Sequence, residues 1–189
     1  MALPIIEIRL PDWVDEVVDF EHTYETDDER MTLAVELALH NTERWTGGPF
    51  GAAIFEVGTG RLVSVGVNLV VPNHNSMLHA EVVACMMAEA RLQSFTLKVP
   101  SLPAHELVTS CEPCAMCLGA TLWAGIRRIV CGATRTDAAE IFFDEGPVFP
   151  ESWDYLRERG VEIVREVLRD EARTVLLRYA ELSGTIYNG

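Results

Sequence analysis

Residues 106–131 read ELVTSCEPCAMCLGATLWAGIRRIVC, a stretch in which short apolar runs flank a longer segment rich in alanine and cysteine. The run Glu106–Ser110 predicts a short strand, Cys114–Ala124 predicts a helix directly after it, and Arg127–Cys131 predicts another strand. Alternation of this kind is typical of a sheet that carries helices on both faces.

The flanking sequence continues the alternation in both directions. Upstream, the apolar spacing predicts a helix from Asp27 or Asp28 to about Trp45, followed by a strand pair around the turn at 57–60. The other predicted elements are the strands Phe50–Glu56, Arg61–Val70 and Val161–Val167, the helices His79–Gln93, Thr134–Glu140, Ser152–Arg159 and Asp170–Leu182, and the loop Phe142–Pro150. The sequence therefore predicts an initial hairpin and then strands and helices in turn.

Composition limits the kind of molecule this can be. The 189 residues are 49% apolar and suit one globular domain, and Pro4 and Pro11 suggest that residues 1–25 form an N-terminal extension before a domain at 26–189. The net charge of -14 repels phosphate, so we expect neither a nucleic-acid partner nor, without a long apolar run, a membrane partner. Five cysteines, an odd number, argue against a disulfide scaffold and favour a reducing compartment, the cytoplasm.

Two clusters carry the chemistry. His79 and Glu81 form a His-x-Glu pair, and Cys114 and Cys117 belong to the later Pro-Cys-x-x-Cys sequence. Imidazole and thiolate are preferred zinc ligands, and a catalytic zinc site leaves a fourth position for water, whose pKa the metal lowers towards about 7. We therefore predict one zinc ion per chain on His79, Cys114 and Cys117, with Glu81 as the acid–base catalyst rather than a ligand.

A structural zinc site is the alternative. Cys111 lies three residues before Cys114 and would close the tetrahedron, which leaves a zinc-binding module without hydrolytic activity. A purely structural site gives no reason for Glu81 beside the histidine ligand. Cys85 and Cys131 are predicted to be packing residues.

With both clusters in view, the sequence resembles the cytidine deaminase-like superfamily, and within it the guanine deaminase branch. The resemblance runs from about Met31 to the C-terminus and includes Gly48-Pro49-Phe50-Gly51-Ala52, Ser110–Cys117 and Phe143-Asp144-Glu145. It implies a three-layer α/β/α sandwich with a five-stranded mixed sheet, and commonly a homodimer. The activity that it implies is that of a hydrolase that removes the amino group of a cyclic amidine as ammonia.

The resemblance also implies substrate contacts. Asn68 falls where the family places an asparagine against the substrate ring, and Glu145 falls where guanine deaminases carry a second proton carrier. Phe50, Ala52 and Phe143 are the remaining expected pocket residues, and the two phenylalanines suggest a sandwich around a flat ring. The C-terminal segment 182–189, with Tyr187, is expected to cover an active site, its own or that of a partner subunit.

Some residues depart from the family pattern and leave the substrate open. Phe142 stands where the branch usually has glycine, and Met77 and Leu78 replace the small residues that usually precede the histidine. The leading prediction is deamination of free guanine, and of an aminotriazine such as ammeline. A cytosine- or cytidine-type deaminase is the alternative, and a tRNA adenosine deaminase fits the acidic chain least well.

Overall fold

The structure is a computed structural model that describes residues 3–188, so Met1 and Ala2 of the predicted extension lie outside it. Its centre is one mixed sheet with the strand order β2-β1-β3-β4-β5. The strands are β1 (Gly51–Glu56), β2 (Leu62–Val67), β3 (His105–Cys111), β4 (Arg128–Ala133) and β5 (Glu162–Val164). β1 runs antiparallel to β2 and β3, whereas β4 and β5 continue parallel to β3. The predicted five-stranded mixed sheet is confirmed.

Seven helices surround the sheet in the described part of the chain: α1 (Val14–Val17), α2 (Asp27–Glu43), α3 (Ala80–Leu92), α4 (Ala115–Ala124), α5 (Arg135–Glu140), α6 (Pro150–Glu158) and α7 (Arg169–Glu181). α2 and α7 pack together against one face, and α3 and α4 pack together against the other. None of these helices is both long and apolar enough to cross a membrane.

The interior strand β1 shows how the sequence builds three layers. All six of its residues are buried, and neighbouring side chains point to opposite faces. Ala52 and Ile54 join the core under α3 and α4, whereas Ala53 and Phe55 join the core under α2. A continuous apolar strand rather than an alternating one is what two covered faces require.

The strands differ from their predicted lengths for identifiable reasons. β2 ends at Val67 rather than Val70, because the Asn68 carbonyl leaves the sheet and accepts a hydrogen bond from the Asn41 side chain. β5 spans only Glu162–Val164, since Glu166 and Leu168 adopt positive φ angles of 64° and 47°.

The segment before α2 packs against the core of the domain. It contains the unpredicted helix α1, and Trp13, Val14 and Tyr24 are buried in the core beneath α2. The boundary at residue 25 stays a prediction.

A cluster of buried charges joins α2 to the sheet. Arg128 on β4 pairs with Glu106 on β3 at 2.6 Å and with Asp27 at the start of α2 at 2.6 Å, and Arg30 pairs with Glu106 at 2.9 Å. The hydrogen bond from Arg128 lowers the pKa of Asp27. Four charges of balanced sign at one end of the sheet fix the register of α2.

Candidate zinc site and adjoining cavity

The proposed zinc ligands come together at the N-termini of two helices. His79 is the N-cap of α3 and Cys114 is the N-cap of α4, with Cys117 one turn further along. The Nδ1 atom of His79 lies 3.5 Å from the Cys114 sulfur and 3.6 Å from the Cys117 sulfur. Within residues 3–188 these three side chains form the only group of three potential ligands at metal-binding spacing.

The donor set fits zinc. One imidazole nitrogen and two sulfurs within 4.8 Å of one another are suitable for a tetrahedral ion with one position left for water. The pKa of Cys114 falls to about 4 because the Cys117 side chain donates a hydrogen bond to it, so a thiolate is favoured there. These three residues are therefore the ones that would hold a zinc ion.

Cys111 does not complete the tetrahedron. Its sulfur lies 3.7 Å from the Thr134 carbonyl oxygen and packs in the cluster around α5 and α7, outside the ligand group. Burial raises the pKa of its thiol well above the usual value. The structure therefore argues against the structural zinc site with four protein ligands, which the sequence alone allowed. Cys85 and Cys131 are buried in the core, as predicted.

Glu81 lies in the first turn of α3, two residues after His79, and is 6% exposed. Burial raises the pKa of its carboxyl group, and the nearby Cys114 raises it further. A carboxyl group whose pKa is shifted towards neutrality is suited to accept and return a proton.

A small cavity of about 30 Å³ adjoins these residues. Its walls combine strand ends, helix starts and two loops: Phe50, Asn68, His79, Glu81, Glu112, Phe143, Asp144, Glu145, Tyr187 and Asn188. Seven of the sequence-predicted site residues are among them, and Cys114 lines a wider opening on the other side of His79 and Glu145. That volume accommodates one or two water molecules.

Glu145 enters the cavity from the loop between α5 and α6. Its carbonyl accepts a hydrogen bond of 3.0 Å from the Ala115 amide, which ties the loop to the first turn of α4. Burial raises the pKa of its carboxyl group to about 8, and the charges of Cys114 and Glu81 contribute. This environment therefore favours the protonated form of Glu145.

The aromatic residues form one wall rather than a sandwich. Phe50 and Phe143 pack edge to face with centroids 5.1 Å apart, so no ring fits between them, and the predicted sandwich is wrong for this arrangement. Tyr187 packs against Phe143 at 5.0 Å in the same manner. Together the three rings offer edges and faces to one side of the cavity.

The Asn68 side chain lines the cavity. The side chain is 1% exposed, and its Oδ1 accepts a hydrogen bond of 3.2 Å from the Val70 amide. Its Nδ2 and the hydroxyl of Tyr187 are buried and make no hydrogen bond of normal geometry among residues 3–188. Burial raises the pKa of Tyr187, and the neighbouring Asn68 side chain opposes that increase, so the two groups face each other. Buried donors without partners are costly, which makes both groups candidates for contact with a bound molecule.

Tyr187 and Asn188 of the C-terminal segment line the cavity of their own chain. The Asn188 side chain donates a hydrogen bond of 2.8 Å to the Phe142 carbonyl and accepts one of 2.9 Å from the Asp144 amide. The Tyr179 hydroxyl donates a hydrogen bond of 2.7 Å to the Thr185 carbonyl. Gly189, the last residue of the predicted covering segment, lies outside the described residues. We call residues 185–188 the lid.

Ala52 and Phe142 do not line the cavity. Ala52 is fully buried in the core beside Ile54, and the structure does not bring it to the cavity wall. Phe142 has φ of 72°, the left-handed region that favours glycine, yet its side chain is 79% exposed and points away from the cavity. The substitution therefore strains the backbone without filling the site. Leu78 is buried in the core and Met77 is exposed.

Sequence reasoning missed three cavity residues: Glu112, Asp144 and Asn188. Glu112 is 3% exposed and pairs with Arg165 and, at 3.6 Å, with Arg135. Its place inside the Ser-Cys-Glu-Pro-Cys sequence was the available signal, but a single acid between two motif residues does not reveal its partners.

Comparisons with known proteins agree with this site. A family model described as the cytidine and deoxycytidylate deaminase zinc-binding region matches residues 24–133, a range that includes the three ligands but not Glu145 or Tyr187. The guanine deaminase of Bacillus subtilis (strain 168) is 36% identical over 140 residues, which cover 74% of this chain and 85% of that protein.

Solved structures extend the likeness over nearly the whole chain. The guanine deaminase from Nitrosomonas europaea superposes with a TM-score of 0.89 and 38% identity, over 94% of this chain and 97% of that one. A structure of the protein NE0047 in complex with 2,6-diaminopurine superposes with a TM-score of 0.89 and 40% identity, over 96% of each chain. The fold is thus shared with these proteins.

Proposed function

Because the chain belongs to the cytidine and deoxycytidylate deaminase zinc-binding family, we propose that it deaminates a free purine-like base, with guanine as the expected substrate. The main observation that supports this proposal is that Glu81 and Glu145 line one cavity beside the His79–Cys114–Cys117 group. The guanine deaminases among its relatives support this choice of base. An aminotriazine such as ammeline presents the same cyclic amidine.

The residues divide the work as follows. His79, Cys114 and Cys117 would hold a zinc ion, which would supply the Lewis acidity that makes water nucleophilic near neutral pH. Glu81 holds and moves a proton between that side of the cavity and the ring nitrogen. Asn68 orients the ring through its free Nδ2, while the wall of Phe50, Phe143 and Tyr187 limits the space for it.

Glu145 is proposed as the second proton carrier. A carboxyl group with a pKa near 8 enters the reaction protonated and can donate to the departing amine. Two carboxyl groups in different environments allow one to accept a proton while the other donates one.

The first experiment measures ammonia release by zinc-loaded protein from guanine, ammeline, guanosine, cytosine, cytidine and adenine in parallel. We expect release from guanine, and its loss in Glu81→Gln together with retention of about one zinc per chain. Release from cytosine or cytidine alone, unchanged in Glu145→Gln, would move the protein to the alternative activity. Wild-type turnover in Glu81→Gln would overturn the mechanism.

A homodimer is also proposed. Phe95 and Trp123 are 91% and 82% exposed, and Trp123 shares a surface groove with the half-exposed Tyr155. Large exposed apolar side chains of this kind are typical of subunit interfaces. Sedimentation of wild type and Trp123→Asp tests this, since a monomeric wild type would contradict it.

We place the protein in the cytoplasm and in purine metabolism. All five cysteines are free thiols, which suits a reducing compartment. The -14 charge supports a small neutral substrate over a tRNA partner.

A further inference from the structure

A buried chain of hydrogen bonds runs from the N-terminal segment to the cavity. The Trp13 indole N–H donates a hydrogen bond of 3.0 Å to the Thr46 hydroxyl. That hydroxyl in turn donates a hydrogen bond of 2.8 Å to Oδ1 of Asn41. Nδ2 of Asn41 then donates to two main-chain carbonyls, 2.8 Å to Gly48 and 2.9 Å to Asn68. Asn41 is fully buried.

These hydrogen bonds can run in only one direction. An indole N–H can only donate, so the Thr46 hydroxyl must accept from Trp13 and turn its own hydrogen towards Asn41. An amide whose oxygen receives that hydrogen presents its NH₂ group to the opposite side. Trp13 and Thr46 therefore fix which end of the Asn41 amide faces the cavity wall.

The two acceptors are the backbone of the wall itself. Gly48 precedes Phe50 and lies against Tyr187, and Asn68 carries the unpaired donor described above. The approach is tight, since a Cβ at Gly47 would lie 1.8 Å from the Asn68 carbonyl oxygen and 2.6 Å from Nδ2 of Asn41. One amide group thus holds the two halves of the wall together.

We infer that Asn41 is a positioning residue for the Asn68 side of the pocket and that Trp13 orients it through Thr46. This inference rests on the proposed function for its kinetic consequence. It assigns the segment before residue 24, where the family match begins, a part in substrate affinity. Asn41 itself touches no reacting atom.

Asn41→Asp is the test, because aspartate keeps the size and the acceptor and removes both N–H donors. Two carbonyls then lose their shared donor and Asn68 shifts, so we expect KM for guanine to rise about tenfold. We expect kcat within about twofold and zinc content near one per chain, since neither Glu81 nor the ligands contact Asn41.

A matched control separates positioning from loss of stability. Leu156→Ala removes a buried side chain of α6 that does not line the cavity, and the variant is compared at the same temperature interval below its melting point. We expect its KM to stay at the wild-type value. An Asn41→Asp enzyme with wild-type KM, or a Leu156→Ala enzyme with the same increase, would overturn the inference.

A second readout does not depend on the substrate. The Val70 amide donates to Oδ1 of Asn68, so displacement of Asn68 in Asn41→Asp should speed hydrogen exchange at Val70 while β3 amides stay protected. Unchanged exchange at Val70 would refute the positioning role even if no substrate were turned over. Failure of the substrate panel with faster exchange would refute only the proposed function.

Trp13→Phe tests the far end of the chain. It removes the N–H donor and keeps an aromatic ring, and we expect about a threefold rise in KM. In the Asn41→Asp background the same change should add nothing, because the relay is already broken. Additive effects would show that Trp13 acts by another route.

Discussion

Gly48→Ala should open the lid without unfolding the protein. A Cβ at this position would lie 2.0 Å from the Tyr187 hydroxyl oxygen and 2.9 Å from the adjoining ring carbon, whereas ordinary contact begins near 3.4 Å. The ring must therefore retreat by about 1.4 Å or leave the cavity. Gly48 has no positive φ angle, so alanine adds no backbone strain.

The size of the effect follows from what Tyr187 releases. Loss of its edge-to-face contact with Phe143 costs about 1 kcal/mol, or roughly fivefold in the population of the closed lid. If both Asn188 hydrogen bonds are lost as well, the total approaches about 3 kcal/mol and roughly a hundredfold. We expect KM for guanine to rise between these limits.

The assay is a double-mutant cycle with Tyr187→Ala, with ammonia release at varied guanine concentration as the readout. In the Tyr187→Ala background, Gly48→Ala should have no further effect, because the clashing ring is absent. Gly119→Ala is the matched control, since a Cβ there has no neighbour within 4 Å. Equal effects of Gly48→Ala in both backgrounds would refute the reasoning.

Three further predictions concern the scaffold. Cys111→Ser should retain about one zinc per chain in metal analysis, because its sulfur is outside the ligand group, and halved zinc content would contradict that geometry. Hydrogen bonds from Arg169 lower the pKa of Asp137 from 3.8 to about 2. The folded state therefore favours the carboxylate, and this stabilisation, present above pH 3.8, should be lost as pH falls towards 2 in acid unfolding. Asp137→Asn should lack that dependence. Arg128→Leu leaves the 1%-exposed Glu106 with one cation fewer and should lower the free energy of unfolding in urea by about 3 kcal/mol, whereas a change below about 1 kcal/mol would show that the charges are well solvated.

The ligands and the fold were predictable because both depend on local pattern. The spacing of Cys114 and Cys117 on one helical turn, and of His79 and Glu81 at the start of another, is set by the helix itself. The alternation of strands and helices likewise predicted a sheet covered on both faces. Motifs and periodicity are properties of neighbouring residues, so one sequence suffices to read them.

Relations between distant segments were not predictable in the same way. The edge-to-face contact of Phe50 with Phe143 joins residues that no local pattern connects, and it replaced the expected sandwich. The bond from Asn41 to the Asn68 carbonyl ended β2 three residues early. Ala52 was placed in the pocket by resemblance, and its fully buried position depends on how α3 covers the strand.

The small size of the cavity couples substrate binding to movement of the lid. About 30 Å³ holds a water molecule or two, which is less than a purine ring needs, so Tyr187 and Asn188 must shift to accommodate a base. This shift accompanies binding and again release, so the Asn188 and Tyr187 contacts are broken and remade in each turnover. Tighter contacts would keep bulk water from the carboxyl groups at the expense of slower exchange, so turnover rate and solvent exclusion are set by the same few residues.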